Sequence, residues 1–90
     1  MNTRVAMISI VVEKDGNVDA LNHILHDYST YIVGRMGVPY PKRGISLISV
    51  AMDAPADKIS AMTGKIGMLD GITSKALYAK LQEEEYAAVN

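Results

Sequence analysis

Between Gly34 and Gly44 the chain sets Arg35, Lys42 and Arg43 beside Tyr40, three of its nine basic residues within nine positions. Arginine offers a forked set of donors and glycine lets backbone amides approach a ligand, so this stretch could clamp a small anion. The same residues also fit a long connection stiffened by Pro39 and Pro41, serving loop entropy alone. Asp15-Gly16-Asn17 is the second candidate, at the turn before a helix whose first N–H groups are open to a carboxylate. Those three residue types are equally ordinary turn chemistry. The expected ligand-binding set is therefore Asp15, Gly16, Asn17, Arg35, Tyr40, Lys42 and Arg43.

Metal and catalytic chemistry find less support. His23 and His26 lie three apart, a spacing that suits two ligands on one helix face, with Asp19 and Asp27 nearby. The chain holds two histidines and no cysteine, so nothing of those types remains to close the shell, and a solvated face explains the pair. The methionines Met7, Met36, Met52, Met62 and Met68 read as gap-fillers in a core without Phe or Trp. Thr63-Gly64-Lys65 resembles a phosphate loop only superficially, because Ile59 stands where the motif needs its first glycine. No serine or threonine has a histidine placed to activate it, and no paired buried carboxylates appear. No catalytic residue, no cofactor and no resident metal are expected, and the chain is not expected to be an enzyme.

The elements that must position these residues follow from periodicity. Val5 to Val12 is apolar on both alternating faces and reads as a buried strand. Asn17 can cap a helix carrying Val18, Leu21, Leu25 and Tyr28 on one side. Ile32 to Met36 reads as a short strand, after which the glycines and prolines of Gly37 to Gly44 argue against regular structure. Ile45 to Met52 is a second long strand. Pro55 and Asp57 suit the start of a helix with Ile59, Met62 and Ile66 on its apolar stripe, and Ile72 to Ala79 reads as a last strand. The order strand-helix-strand-strand-helix-strand predicts an α+β, ferredoxin-like βαββαβ domain over residues 1–79. Its four-stranded antiparallel sheet would carry both helices on one face. Residues 80–90, with Glu83-Glu84-Glu85, are expected to be an acidic tail.

That architecture leaves one sheet face without a layer. In the first strand Val5, Met7 and Val11 share one face, and Ala6, Ile8, Ile10 and Val12 the other. Each aliphatic side chain gains about 1.5–3 kcal/mol on burial. A chain of 90 residues has no third layer to spend, so a second copy is the expected cover and a homo-oligomer the expected state.

Composition bounds the rest. The apolar fraction is 49% and the charged fraction 21%, a globular balance, with a net charge of -1. Without the three tail glutamates the net would be +2, too little for a nucleic-acid footprint, so nucleic acid is a disfavoured partner. The absence of cysteine points to a reducing compartment, and no run of about 18 apolar residues is present to span a bilayer. The opening apolar run is short and ends in Glu13-Lys14-Asp15, unlike a signal peptide. A cytoplasmic protein without membrane partners is the expectation.

One string is more specific than any of these patterns. Ile32-Val33-Gly34-Arg35-Met36-Gly37-Val38-Pro39-Tyr40, with Gly44-Ile45-Ser46 and Asp53-Ala54-Pro55, resembles the family labelled iron-only hydrogenase system regulators. Thr3-Arg4-Val5-Ala6, Leu21-Asn22-His23-Ile24-Leu25-His26 and Gly64-Lys65-Ile66-Gly67 fit the same resemblance. It implies an ACT-like fold, similar to the ligand-binding domain of the nickel-responsive repressor, whose relatives oligomerise through the sheet and bind ligands between subunits. ACT domains that bind amino acids place a glycine-containing loop where Gly16 stands here. The repressor's nickel site uses a cysteine and cannot be carried over. No ribbon-helix-helix segment precedes the first strand, which argues against direct DNA contact. The expectation is a non-catalytic sensor binding a small anion or amino acid between subunits, in an iron-only hydrogenase system. The alternatives are an assembly factor that binds a partner protein without a small ligand, or a DNA-binding regulator.

Overall fold

Strict alternation of burial defines the first strand, β1 (Arg4–Val12): Ala6, Ile8, Ile10 and Val12 are buried and their neighbours are not. Side chains of a strand point alternately to opposite faces, so one face is packed and the other is not. In the computed structural model, which describes residues 2–81, β1 is central. It pairs antiparallel with β3 (Ile45–Ala54) on one side and β4 (Ile72–Tyr78) on the other. β2 (Ile32–Tyr40) pairs antiparallel with β3, giving the order β2-β3-β1-β4. With α1 (Val18–Asp27) after β1 and α2 (Ala56–Gly67) after β3, this is the expected ferredoxin-like α+β fold.

Local chemistry fixes both helices. The Asn17 side chain accepts a hydrogen bond from the Ala20 N–H at 3.0 Å and so satisfies one free donor at the start of α1. α1 buries Leu21 and Leu25 against the sheet, and α2 buries Ile59, Met62 and Ile66. These meet Ile8, Ile10, Val50 and Met52 in a core without a buried polar side chain among the described residues. α2 is also tied to β4: the Ser74 hydroxyl donates to the Thr63 carbonyl at 2.7 Å.

One expectation is overturned. The stretch from Gly37 was expected to lack regular structure, yet β2 continues through Gly37, Val38 and Pro39 to Tyr40, and Pro41–Arg43 forms a 3-10 turn. The reason lies in the sheet order. β2 is an edge strand, and proline, which has no N–H to give, is tolerated where one side of a strand has no partner. β3 likewise runs two residues beyond the expected Met52, to Ala54. The tail glutamates expected to be acidic and solvated lie outside the described residues. Among the described residues, no helix is long and apolar enough to cross a membrane.

Neighbouring residues of β1 give a direct check on this layering. Ile8 is fully buried and Ser9 exposed. Ile8→Ala should lower the unfolding free energy measured in urea by about 2–5 kcal/mol, whereas Ser9→Ala should stay within about 0.5 kcal/mol.

Candidate functional site

At one end of the sheet the β1–α1 turn, the β2–β3 connection and the α2–β4 turn converge. The Glu13 N–H donates to the Gly71 carbonyl at 2.8 Å, joining the first turn to the third. Gly16 and Gly71 lie back to back: a Cβ on Gly71 would sit 2.9 Å from Gly16 Cα, and one on Gly16 would sit 2.7 Å from Val12 Cγ1. Gly71 and Gly44 both have positive φ, 72° and 67°, which glycine adopts without strain. Much of the first turn's hydrogen bonding is internal. Gly16 N–H donates to Glu13 O, Val18 N–H to Gly16 O, and Ala20 N–H to the Asn17 side chain.

A shallow depression of about 290 Å³ lies here, bordered by Glu13, Lys14, Gly16, Pro39, Pro41 and Gly44 among others. Of the expected ligand set, only Gly16 lines it. Lys42 and Arg43 are exposed on the 3-10 turn at the tip of the β2–β3 hairpin. Tyr40 pairs with Ile45 and shares a sheet face with Met36 and Val38. Asp15 and Asn17 flank the turn outside the lining.

Arg35 is elsewhere. It is five residues from Tyr40 along β2, about 17 Å at strand rise. Its direction is set by an irregularity in the ladder. Ile32 pairs with Met52 and Gly34 with Ala51, so Val33 is an extra residue, a β-bulge. A regular ladder from Ile32 would pair Arg35 with Ser49 on the uncovered face. The bulge pairs it instead with Val50, whose side chain is wholly buried on the helix side. Arg35 thereby borders a groove of about 410 Å³ with Asn22, Leu25 and His26 of α1, Ser29 of the following turn, and Ile32, and it also adjoins a shallow depression of the opposite face with Met7, Gly34, Met36, Ser49 and Ala51. Sequence reasoning missed Asn22 and Ser29 and set His26 aside. The readable signal was Asn22 and His26 four apart on the helix, but which way Arg35 turns depends on the bulge.

The two histidines part company. His23 Nε2 lies 3.7 Å from Asp27 on the solvent side, both side chains more than half exposed, while His26 turns toward the groove. No cluster of three metal-ligating side chains of the His, Cys, Asp and Glu types occurs among the described residues. On the α1–α2 flank the Lys65 ammonium lies 5.1 Å from the Tyr28 ring centroid. Hydrogen bonding to Tyr28, then the charges of Tyr28 and Asp27, hold Lys65 above its ordinary value.

The sheet face opposite the helices is a third feature. Val5, Met7 and Val11 of β1 are joined there by Leu47 of β3, Met36, Val38 and Tyr40 of β2, and Leu77 of β4. Each of these is exposed by at least about a third, from 36% at Val11 to 75% at Leu77.

Residues 4–76 match the family described as "TM1266-like: Iron-only hydrogenase system regulator, putative". Among solved structures the chain is similar to the uncharacterized protein TM1266 from Thermotoga maritima. That likeness has 29% identity and a TM-score of 0.83, and covers 87% of this chain and 99% of that one. The chain is also similar to a formyltetrahydrofolate deformylase from Pseudomonas putida, at 13% identity and a TM-score of 0.61, over 87% of this chain and 30% of that one. At that identity the second likeness is one of fold alone. No curated protein matches by sequence.

The glycine contacts at the converging turns yield a graded expectation. Gly44→Ala meets only ordinary contact, at 3.8 Å from Lys14 Cβ, so it should cost about 1–2 kcal/mol from left-handed strain alone. Gly71→Ala adds a backbone clash to the same strain and should cost clearly more, measured by urea unfolding of both variants beside the parent.

Proposed function

The chain belongs to the TM1266-like family of iron-only hydrogenase system regulators, and from that premise we propose a regulatory module that self-associates and responds to a small anion or amino acid. The observation that carries the reading is the uncovered sheet face. Four strands about 4.8 Å apart, seven to ten residues long, give the sheet face about 550 Å² in plan, polar positions included. The largest apolar patch on a monomer is commonly about 300–600 Å² and often functional, and a stable interface takes about 800 Å² per partner, so the face supplies most of one side of such an interface. The face is mainly apolar, which suits it to a second copy of itself. Lys75 lies at the β4 edge of this face and Asp53 at the end of β3.

The ligand part of the reading rests on cations without acidic partners. Arg35, Lys42 and Arg43 take part in no ion pair among the described residues, where the single pair is His23 with Asp27. Binding would act by favouring one packing of the subunits over another, and so change what the assembly docks to. Function on this fold resides in sites, so the fold's likeness to a deformylase argues nothing about catalysis here.

Sedimentation at micromolar concentration should give a dimer or a larger assembly for the parent. Leu47→Lys, which puts a charge between Val11 and Val38 on the face, should shift it to monomer while keeping its helical circular dichroism. A parent that sediments as a monomer at every concentration would overturn self-association. A thermal-shift series with amino acids and simple anions tests the ligand part separately: no stabilisation by any of them, beside capture of a defined partner protein, would favour the assembly-factor role.

A further inference from the structure

The groove beside Arg35 differs from the rest of the surface in how its parts converge. The two helices cover the sheet over β1, β3 and β4, but β2 lies beyond them and is exposed along almost its whole length. A trough is left between the flank of α1 and the helix side of β2. Its walls come from separate parts of the chain: Asn22 and His26 one turn apart on α1, Ser29 from the turn after it, and Arg35 across from them on β2. Leu25, buried, and Ile32, half-buried, supply apolar surface between these polar groups.

The charge balance of that lining is one-sided. Arg35 is a permanent cation, Asn22 and Ser29 are neutral donors and acceptors, His26 is a ring donor, and no carboxylate borders the groove among the described residues. Asp27, the next residue to His26, is directed to His23 on the other flank. None of the side chains of Asn22, His26, Ser29 and Arg35 has a hydrogen-bond partner within the chain among the described residues. The bulge at Val33 is the device that brings Arg35 to this trough, and bulges commonly serve to re-aim a side chain.

We propose that the groove between α1 and β2 binds a small organic carboxylate, its head on the Arg35 guanidinium and its short hydrocarbon body against Leu25 and Ile32. The planar fork of arginine matches a carboxylate with two parallel N–H···O bonds. One guanidinium among neutral donors balances one negative charge, which favours a carboxylate over the more highly charged phosphate. The apolar strip between the polar walls is what a bare inorganic anion would leave unused. This proposal rests on the reading of the chain as a ligand-responsive regulator and names the class of ligand and its site.

The test is an amide NMR titration of the full chain with isovalerate, its uncharged analogue isoamyl alcohol, and inorganic phosphate. Isovalerate should move the amides of Asn22, His26, Ser29 and Arg35, while the alcohol and phosphate should move them little. Arg35→Ala should weaken isovalerate about 10- to 100-fold, the loss expected when a charged hydrogen-bond partner is removed. Arg35→Lys should recover part of it, and the Lys42→Ala, Arg43→Ala double variant should bind as the parent does. Equal binding of phosphate or of the alcohol overturns the ligand class. Shifts confined to Lys14 and residues 41–44 overturn the site, and no shift with isovalerate overturns both. None of these outcomes bears on self-association, which the sedimentation of Leu47→Lys decides independently.

Discussion

Two helices cannot cover two faces of a sheet, and this shortage of layers governs the rest of the molecule. The sequence supplies apolar residues to both faces of β1, but the described residues supply helices for only one. The covered face holds a core in which Ile8, Leu21, Val50, Met52, Ile59, Met62 and Ile66 are wholly buried. On the other face, Met7, Leu47, Met36 and Leu77 remain at 43% exposure or more. Sheets with one solvated face normally alternate apolar with polar residues. Here the outward positions are themselves largely apolar, with Ser9, Ser49, Thr73, Lys75 and Asp53 as the polar exceptions. A core that small gains from further burial, and the self-association proposed above rests on that physical ground.

The edge position of β2 is the second consequence. Because the helices do not reach it, both of its faces are open, and its residues are free to differ in task from one side to the other. Met36, Val38 and Tyr40 extend the apolar face, while Arg35 borders the polar groove under α1. The single extra residue at Val33 makes this division work. Without it, the alternation would set Arg35 among the apolar side chains, where an unpaired charge would oppose the burial that the face invites.

How much of this could be read from residues alone divides along physical lines. β1, α1 and α2 were readable because burial there follows local periodicity, and Asn17, Leu21 and Leu25 fall where a capped amphipathic helix needs them. The end of β2 was not, because whether Pro39 breaks a strand depends on whether that strand has a neighbour on both sides. Nor was the direction of Arg35, since a bulge is a property of two paired strands and neither carries a residue that demands it. The ligand set suffered most from this. Arg35 and Arg43 are eight residues apart, close enough to look like one cluster, yet the extended strand from Arg35 to Tyr40 alone spans about 17 Å. Gly16 was noticed for its freedom at a ligand loop, and its place is explained by the close approach of Gly71.

A regulator needs its ligand site and its output surface to be joined by something with more than one arrangement. β2 is the element common to both here. A ligand can shift an assembly equilibrium only by as much as its affinity differs between the free and assembled states, so a site remote from the interface on a rigid core would shift nothing. The groove and the face are instead the two sides of one strand, and that strand is held along one edge by β3 and by no packed helix. The register shift at Val33 sets Arg35 on one side of β2 and Met36, Val38 and Tyr40 on the other, so the proposed ligand site and the proposed interface share this strand. The least supported strand is thus the one through which occupancy of the groove and packing of the face can influence each other.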